Sequence, residues 1–126
     1  MLIHLDTSVL VDAFTGSRRS LDAVRKATDR GDSITFSTIV LYEWLRGPRT
    51  GAETSAVEAL FAGDPPTVFG SREAEKAAAL CRGVKGARQR QADLAIAACA
   101  IQHGASLWTL NPGDFDDVPG LTLYRA

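Results

Sequence analysis

The chain has 126 residues, a formal net charge of -1, 45% hydrophobic and 23% charged residues. That length buries a core without staples, and that composition is ordinary for one folded globular domain spanning residues 1–126. A polycation, a disordered acidic chain and a disulfide scaffold are all excluded. No apolar run approaches the length of a membrane span, and MLIHLD at the start carries no leader features, so a cytoplasmic protein is the expectation. Cys81 and Cys99 lie in helix-like segments without paired Cys/His spacing, which reads as two reduced core thiols and no zinc.

In chain order, Leu2 to Leu5 is a short apolar strand that runs into Asp6-Thr7-Ser8, a group of N-cap residues for a helix ending near Phe14. Gly16-Ser17 breaks it. Ser20 to Arg30 is a second helix with Leu21, Val24 and Ala27 on one face. Ser33 to Phe36 is a second strand, and Ser37-Thr38 caps a helix from Ile39 to Arg46 that stops at Gly47-Pro48. Ala52 to Phe61 is a fourth helix. Thr67 to Phe69 is predicted as a short third strand. A helix from Arg72 to Arg82, a loop from Gly83 to Arg90 and a helix from Gln91 to His103 follow. Leu107 to Leu110 and Leu121 to Tyr124 complete the strands. Strands alternate with helices and most are apolar without alternation, which predicts a mainly parallel sheet covered on both faces, a three-layer α/β/α domain.

In such a sheet ligands bind beyond the carboxyl ends of the strands. Asp6 follows the first strand there, although a plain helix cap is a sufficient reason for an Asp at that place. Glu43 sits among Ile39, Val40, Leu41, Tyr42, Trp44 and Leu45. A helix apolar nearly all round is expected to be buried, and a buried carboxylate needs a partner. Arg46, or a narrow solvent face, is the ordinary alternative. Asp93 is the lone acid in the first turn of an Ala-rich helix, where the helix dipole also favours it. Thr109, Asn111 and Asp114 follow the fourth predicted strand at the same sheet edge as Asp6. Several acids gathered together oppose each other's ionisation. A hard divalent cation relieves that cost, and magnesium, or manganese with the same oxygen preference, suits carboxylates and phosphates.

The charge is uneven. Lys76, Arg82, Lys85, Arg88 and Arg90 form a basic stretch without acids, while Asp114, Asp116 and Asp117 form an acidic one. A basic strip of this kind can hold a phosphate backbone or be a solvated surface.

These residues resemble the PIN-domain family. Leu5-Asp6-Thr7-Ser8-Val9-Leu10-Val11-Asp12 is similar to the family's opening motif. Ser37 to Gly47 is similar to the second, with its glutamate at Glu43. Asp93 to Ala100 is similar to the third, with its aspartate at Asp93. Leu107 to Phe115 with Val118-Pro119-Gly120-Leu121 is similar to the closing motif. The likeness looks nearest to the VapC toxins of VapBC toxin–antitoxin pairs. It implies a magnesium-dependent endoribonuclease acting on a specific RNA such as a transfer or ribosomal RNA, a VapB-like antitoxin partner and a homodimer. On that reading Asp6, Glu43 and Asp93 hold one Mg2+ directly or through water. Thr7 and Thr109 orient acids or water, and Arg82, Lys85, Arg88 and Arg90 meet the RNA. The closing motif often has an acid where this chain has Asn111, so either Asn111 or Asp114 fills the fourth place. An antitoxin helix is expected on apolar surface near Val24, Leu41 and Trp44. Two other readings stay open: a degenerate PIN domain that binds RNA or a partner without cleaving, and a magnesium-dependent phosphatase. A phosphatase of the haloacid-dehalogenase type would want an acid at Ser8.

Overall fold

The computed structural model describes residues 1–126. The elements are β1 (Leu2–Leu5), α1 (Thr7–Phe14), α2 (Leu21–Asp29), β2 (Ser33–Thr35), α3 (Thr38–Arg46), α4 (Gly51–Leu60), α5 (Ser71–Gly83), α6 (Gln91–Gln102), β3 (Ser106–Trp108) and β4 (Thr122–Leu123), with single 3-10 turns at Ala87–Gln89 and Pro112–Asp114. The four strands lie in the order β2-β1-β3-β4, and every pairing is parallel. Parallel neighbours require crossover helices, which cover the sheet on both faces.

The predicted third strand, Thr67 to Phe69, does not form. Thr67 makes one isolated parallel bridge with Ser37, just beyond β2. Pro65 and Pro66 precede it and lack backbone donors, while Phe69 N–H is taken by the Thr38 hydroxyl, so the donors that would extend the ladder are missing or taken. The last two strands are also shorter than expected. β3 ends at Trp108, which releases Thr109 and Leu110 into the loop that builds the sheet edge.

One continuous apolar core runs from Ile3 and Leu5 on the central strand through Leu10, Phe36, Trp44 and Leu94 to Leu107 and Phe115. Every residue of α6 from Leu94 to Ala100 is buried. Its small side chains let α5 and the sheet approach closely, so a large substitution there would overpack the core. α3 corrects the expectation of burial on all sides. Val40 and Trp44 are buried, but Tyr42 and Leu45 are 63% and 56% exposed. The helix packs against α1 and α6, and Tyr42 and Leu45 on its outer side stay largely exposed.

His4 is the polar exception within the sheet. Alternation along β1 turns it away from Ile3 and Leu5. It is 1% exposed, its Nε2 lies 3.2 Å from the Thr67 hydroxyl, and its Nδ1 has no partner. Burial, and then the nearby His103, lower its pKa to about 4, which keeps the ring neutral.

Candidate active site

The carboxyl ends of β1 and β3 are joined by a 2.8 Å hydrogen bond from Asp6 N–H to the Trp108 carbonyl. This sets Asp6 beside Thr109. Asp6 precedes α1, but its side chain caps no helix N–H. Oδ2 instead accepts from the Ser8 hydroxyl at 2.8 Å and from the Thr109 hydroxyl at 2.7 Å. Each hydroxyl is itself fixed by a backbone donor: Leu110 N–H to Ser8 Oγ at 3.1 Å, and Asn111 N–H to Thr109 Oγ1 at 3.0 Å. Oδ1 makes no protein hydrogen bond. The bland explanation of Asp6, a capping residue, therefore fails on geometry. Ser8 is the residue that sequence reasoning missed. Its only trace in the sequence is a hydroxyl two positions after an acid at a helix start.

Glu43 lies on the α3 flank that faces α1. Its Oε1 accepts from the Thr7 hydroxyl, and its Oε2 lies 3.7 Å from Arg46 Nη2. Both the ordinary partner, Arg46, and a link to the sheet edge are present. Asp93 sits in the first turn of α6 and is half-buried. Its pKa rises to about 6. Burial is the largest cause, followed by the charges of Asp6, Asp114 and Glu43, with Arg90 opposing. The helix dipole alone would push the other way. Asp6, Asp114 and Glu43, each carried by a different part of the chain, thus act on Asp93 across the end of the sheet.

Asp114 stands on the 3-10 turn after β3. It lines, with Asp93, Asp116, Asp117 and Arg90, a polar cleft of about 450 Å³. Phe115 and Val118, 2% and 5% exposed, anchor this loop in the core. Asn111 is exposed and uses its backbone N–H to hold Thr109, and no side-chain hydrogen bond forms there. Asp114 is one of the charges that act on Asp93.

Arg90 corrects part of the basic strip. Its two terminal nitrogens fork onto Asp117 at 2.8 and 2.6 Å and also reach the Lys85 and Asp114 carbonyls. A guanidinium with these donors occupied is a brace between the loop before α6 and the acidic loop, and is not a free cation for a phosphate. Arg82, Lys85 and Arg88 remain exposed. The expected antitoxin surface is corrected too. Val24 and Trp44 are 0% and 1% exposed and cannot receive a partner. Leu41 and Leu45 instead line an apolar groove with Val57, Phe61, Pro65 and Pro66.

No three acidic, His or Cys side chains stand close enough to enclose a cation by themselves. The donors at this sheet edge are nevertheless all oxygens, and Asp93 is raised by burial and then by neighbouring negative charge. Magnesium is held by one or two carboxylates and keeps several waters. The donor set fits a hydrated magnesium or manganese ion, and not a dehydrated cage or a zinc site.

The match to the PIN-domain family model extends over residues 3–121, and the chain belongs to that family. By structure it is similar to a chain of VapBC2 from Rickettsia felis bound to a DNA fragment from their promoter, with 22% identity, 98% of each chain covered and a TM-score of 0.76. It is similar to a chain of DNA-bound VapBC from Salmonella typhimurium, with 21% identity, 98% of each chain covered and a TM-score of 0.74. A toxin–antitoxin complex from Klebsiella pneumoniae gives 22% identity over 100% of each chain and a TM-score of 0.72. At these identities the likeness is one of fold. No curated protein matches the chain by sequence.

Proposed function

We propose that this chain is a metal-dependent endoribonuclease and the toxin of a toxin–antitoxin pair. The observation that carries the nuclease reading is the gathering of Asp6, Asp114 and Glu43 about a half-buried Asp93 beside a polar cleft, where burial first and then their charges raise its pKa to about 6. A purely structural protein gains nothing by collecting three acids about a fourth whose ionisation they oppose. A nuclease does, because a cation bound there offsets the repulsion and a phosphodiester brings its own negative charge to that cation.

Asp6 and Asp93, with Glu43 directly or through water, are the groups that would hold Mg2+ or Mn2+. Such an ion, when bound, supplies Lewis acidity toward a phosphate oxygen and acidifies a bound water. The chain's own residues set the geometry. Ser8 and Thr109 hold the Asp6 carboxylate through Oδ2 and leave Oδ1 without a protein partner. Thr7 holds Glu43 through Oε1. Asp114 adds negative charge on the far side of the cleft, and Arg90 holds its loop in place through the Asp114 carbonyl. Arg82, Lys85 and Arg88 are the cations free to neutralise an incoming backbone.

The toxin part of the reading draws on the solved neighbours, which are toxin–antitoxin complexes. An antitoxin helix fits the apolar groove between α3 and α4, and a second copy of the chain completes a homodimer. The direct test is purified protein with RNA and Mg2+. Cleavage should occur, chelator should stop it, and Mg2+ or Mn2+ should restore it. Full activity in chelator overturns the mechanism, and release of free phosphate from a monoester instead of RNA cleavage points to the phosphatase.

A further inference from the structure

Beside the carboxylates lies a second cleft that the reading above does not use. It has a volume of about 510 Å³ and runs from Thr7 and Ser8 along α1 to the α1–α2 turn. Its walls carry a definite hydrogen-bond polarity. The hydroxyl hydrogens of Thr7, Ser8 and Thr15 are spent on Glu43, Asp6 and the Val11 carbonyl. Ser8 additionally accepts from Leu110 N–H. Thr7 and Thr15 therefore present oxygen lone pairs to a ligand, so the inner cleft accepts hydrogen bonds.

The rim has the opposite character. Arg19 donates from Nε at 3.1 Å and Nη2 at 2.9 Å to Oδ1 of Asp12, and Ser20 donates to Oδ2. Asp12 is held below the usual carboxylate range, first by the Ser20 hydroxyl and then by Arg19. The Arg19 side chain is 78% exposed, and its Nη1 makes no protein hydrogen bond. The guanidinium is thus fixed on one side and open on the other, a ready donor for an anionic oxygen. Val11 and the half-exposed Leu110 supply apolar wall between rim and interior.

An apolar wall, inner acceptors and a cationic rim match one unit of chain: a ribonucleotide. Its hydroxyl and base amino hydrogens would face Thr7 and Thr15, its flat faces would meet Val11 and Leu110, and its phosphate would meet Arg19. We propose that this cleft is the binding subsite for the nucleotide adjoining the scissile phosphate, with Arg19 anchoring the backbone and Asp12 positioning Arg19. The proposal rests on the ribonuclease reading of the neighbouring carboxylates. It also answers the loss of Arg90 from the basic strip, since a strand crossing the acids gains a cation at this end. An acceptor in contact with the ribose favours RNA over DNA, because only the 2′-hydroxyl donates to it.

The test uses the Asp93→Asn protein, so that substrate survives, with a fluorescent single-stranded RNA of mixed sequence and the same oligonucleotide as DNA. Adding Arg19→Gln should weaken RNA binding about tenfold and flatten the salt slope by about 0.7. Ser17→Glu is the control against misfolding. Ser17 is an exposed cleft-lining residue, and a carboxylate there should weaken RNA binding without lowering the melting temperature. Thr15→Val should narrow the preference for RNA over DNA. RNA binding by the Asp93→Asn parent that is unchanged by both Arg19→Gln and Ser17→Glu overturns the subsite and leaves the nuclease reading in place. No RNA binding by the parent overturns both.

Discussion

The Thr109 hydroxyl, one residue past β3, donates to Asp6 Oδ2, one residue past β1, over 2.7 Å. Adjacent parallel strands bring residues 103 positions apart in the chain into one hydrogen bond. Groups that orient a metal-binding carboxylate commonly matter 10- to 100-fold, roughly, for metal affinity or activity. Thr109→Val should lower RNA cleavage by about that range and lower the melting temperature modestly, because the shape is kept but buried Asp6 loses a donor and Asn111 N–H an acceptor. Ser8→Ala should act in the same direction and also release Leu110 N–H. Calorimetric Mg2+ binding and cleavage rates, measured together, check this; unchanged values for both variants would remove these hydroxyls from the site.

Asp93 makes the metal-free protein sensitive to pH. Its folded pKa, about 6, lies above the ordinary 3.8. The folded state therefore holds this proton more tightly than the unfolded state. The contribution stabilises at low pH and is lost as pH rises from about 4 to about 6. Asp93→Asn should be more stable than the parent above pH 6 in chelator, and inactive. Mg2+ should raise the parent's melting temperature more than the variant's. Equal stability of the two proteins across that window would contradict the coupling.

His4 gives the opposite slope. Its folded pKa, about 4, lies below the ordinary 6.5. Stability is fully present above pH 6.5 and is lost as pH falls toward 4. Replacing His4 with Leu removes the orphaned Nδ1 and should flatten acid denaturation in that interval. In the parent the two groups oppose each other, so Asp93→Asn should steepen the acid limb that His4→Leu flattens. Melting temperatures of both variants against pH separate the contributions.

The basic strip divides into free and committed cations. Lys85→Ala with Arg88→Ala, in an Asp93→Asn background, should flatten the salt dependence of RNA affinity by roughly 1.4, about 0.7 per lost contact. Arg90→Ala should act differently. It frees Asp117 and the Asp114 carbonyl, so it should lower the melting temperature and increase hydrogen exchange from Asn111 to Asp117. Its direct effect on the salt slope should be small. A slope change for Arg90→Ala equal to that of Arg88→Ala would mean that the fork to Asp117 opens for RNA.

Leu45 of α3 is 56% exposed, in a groove of about 400 Å³ lined also by Val57 and Phe61. On the proposed toxin reading, Leu45→Asp should leave RNA cleavage intact and abolish co-purification with a co-expressed antitoxin. Retained co-purification would move the antitoxin to another face.

The alternation of apolar strands and amphipathic helices was readable along the chain because each element advertises its own burial. The apolar Leu2–Leu5 run, the Ser37 cap and the Ala-rich α6 all state locally what they do, and the α/β class follows. Asp6 was legible as a strand-end acid, but whether it capped α1 or faced a ligand depended on Thr109, which arrives from the far end of the chain. The same limit hid Ser8, whose partner amide belongs to Leu110. Hydrophobicity told that α3 is apolar, yet not which of its sides meets a neighbour, so Tyr42 and Leu45 were expected inside. A short β-rich stretch at Thr67–Phe69 looked like a strand, and the preceding prolines with the capture of Phe69 N–H by Thr38 limited it to one bridge. Sequence spacing also counted Arg90 with the other cations. Its assignment to Asp117 was decided by the loop after β3 folding back against the start of α6. Local patterns fix elements because burial and capping act over a few residues; pairings of side chains between elements are fixed only when the sheet edge has assembled them.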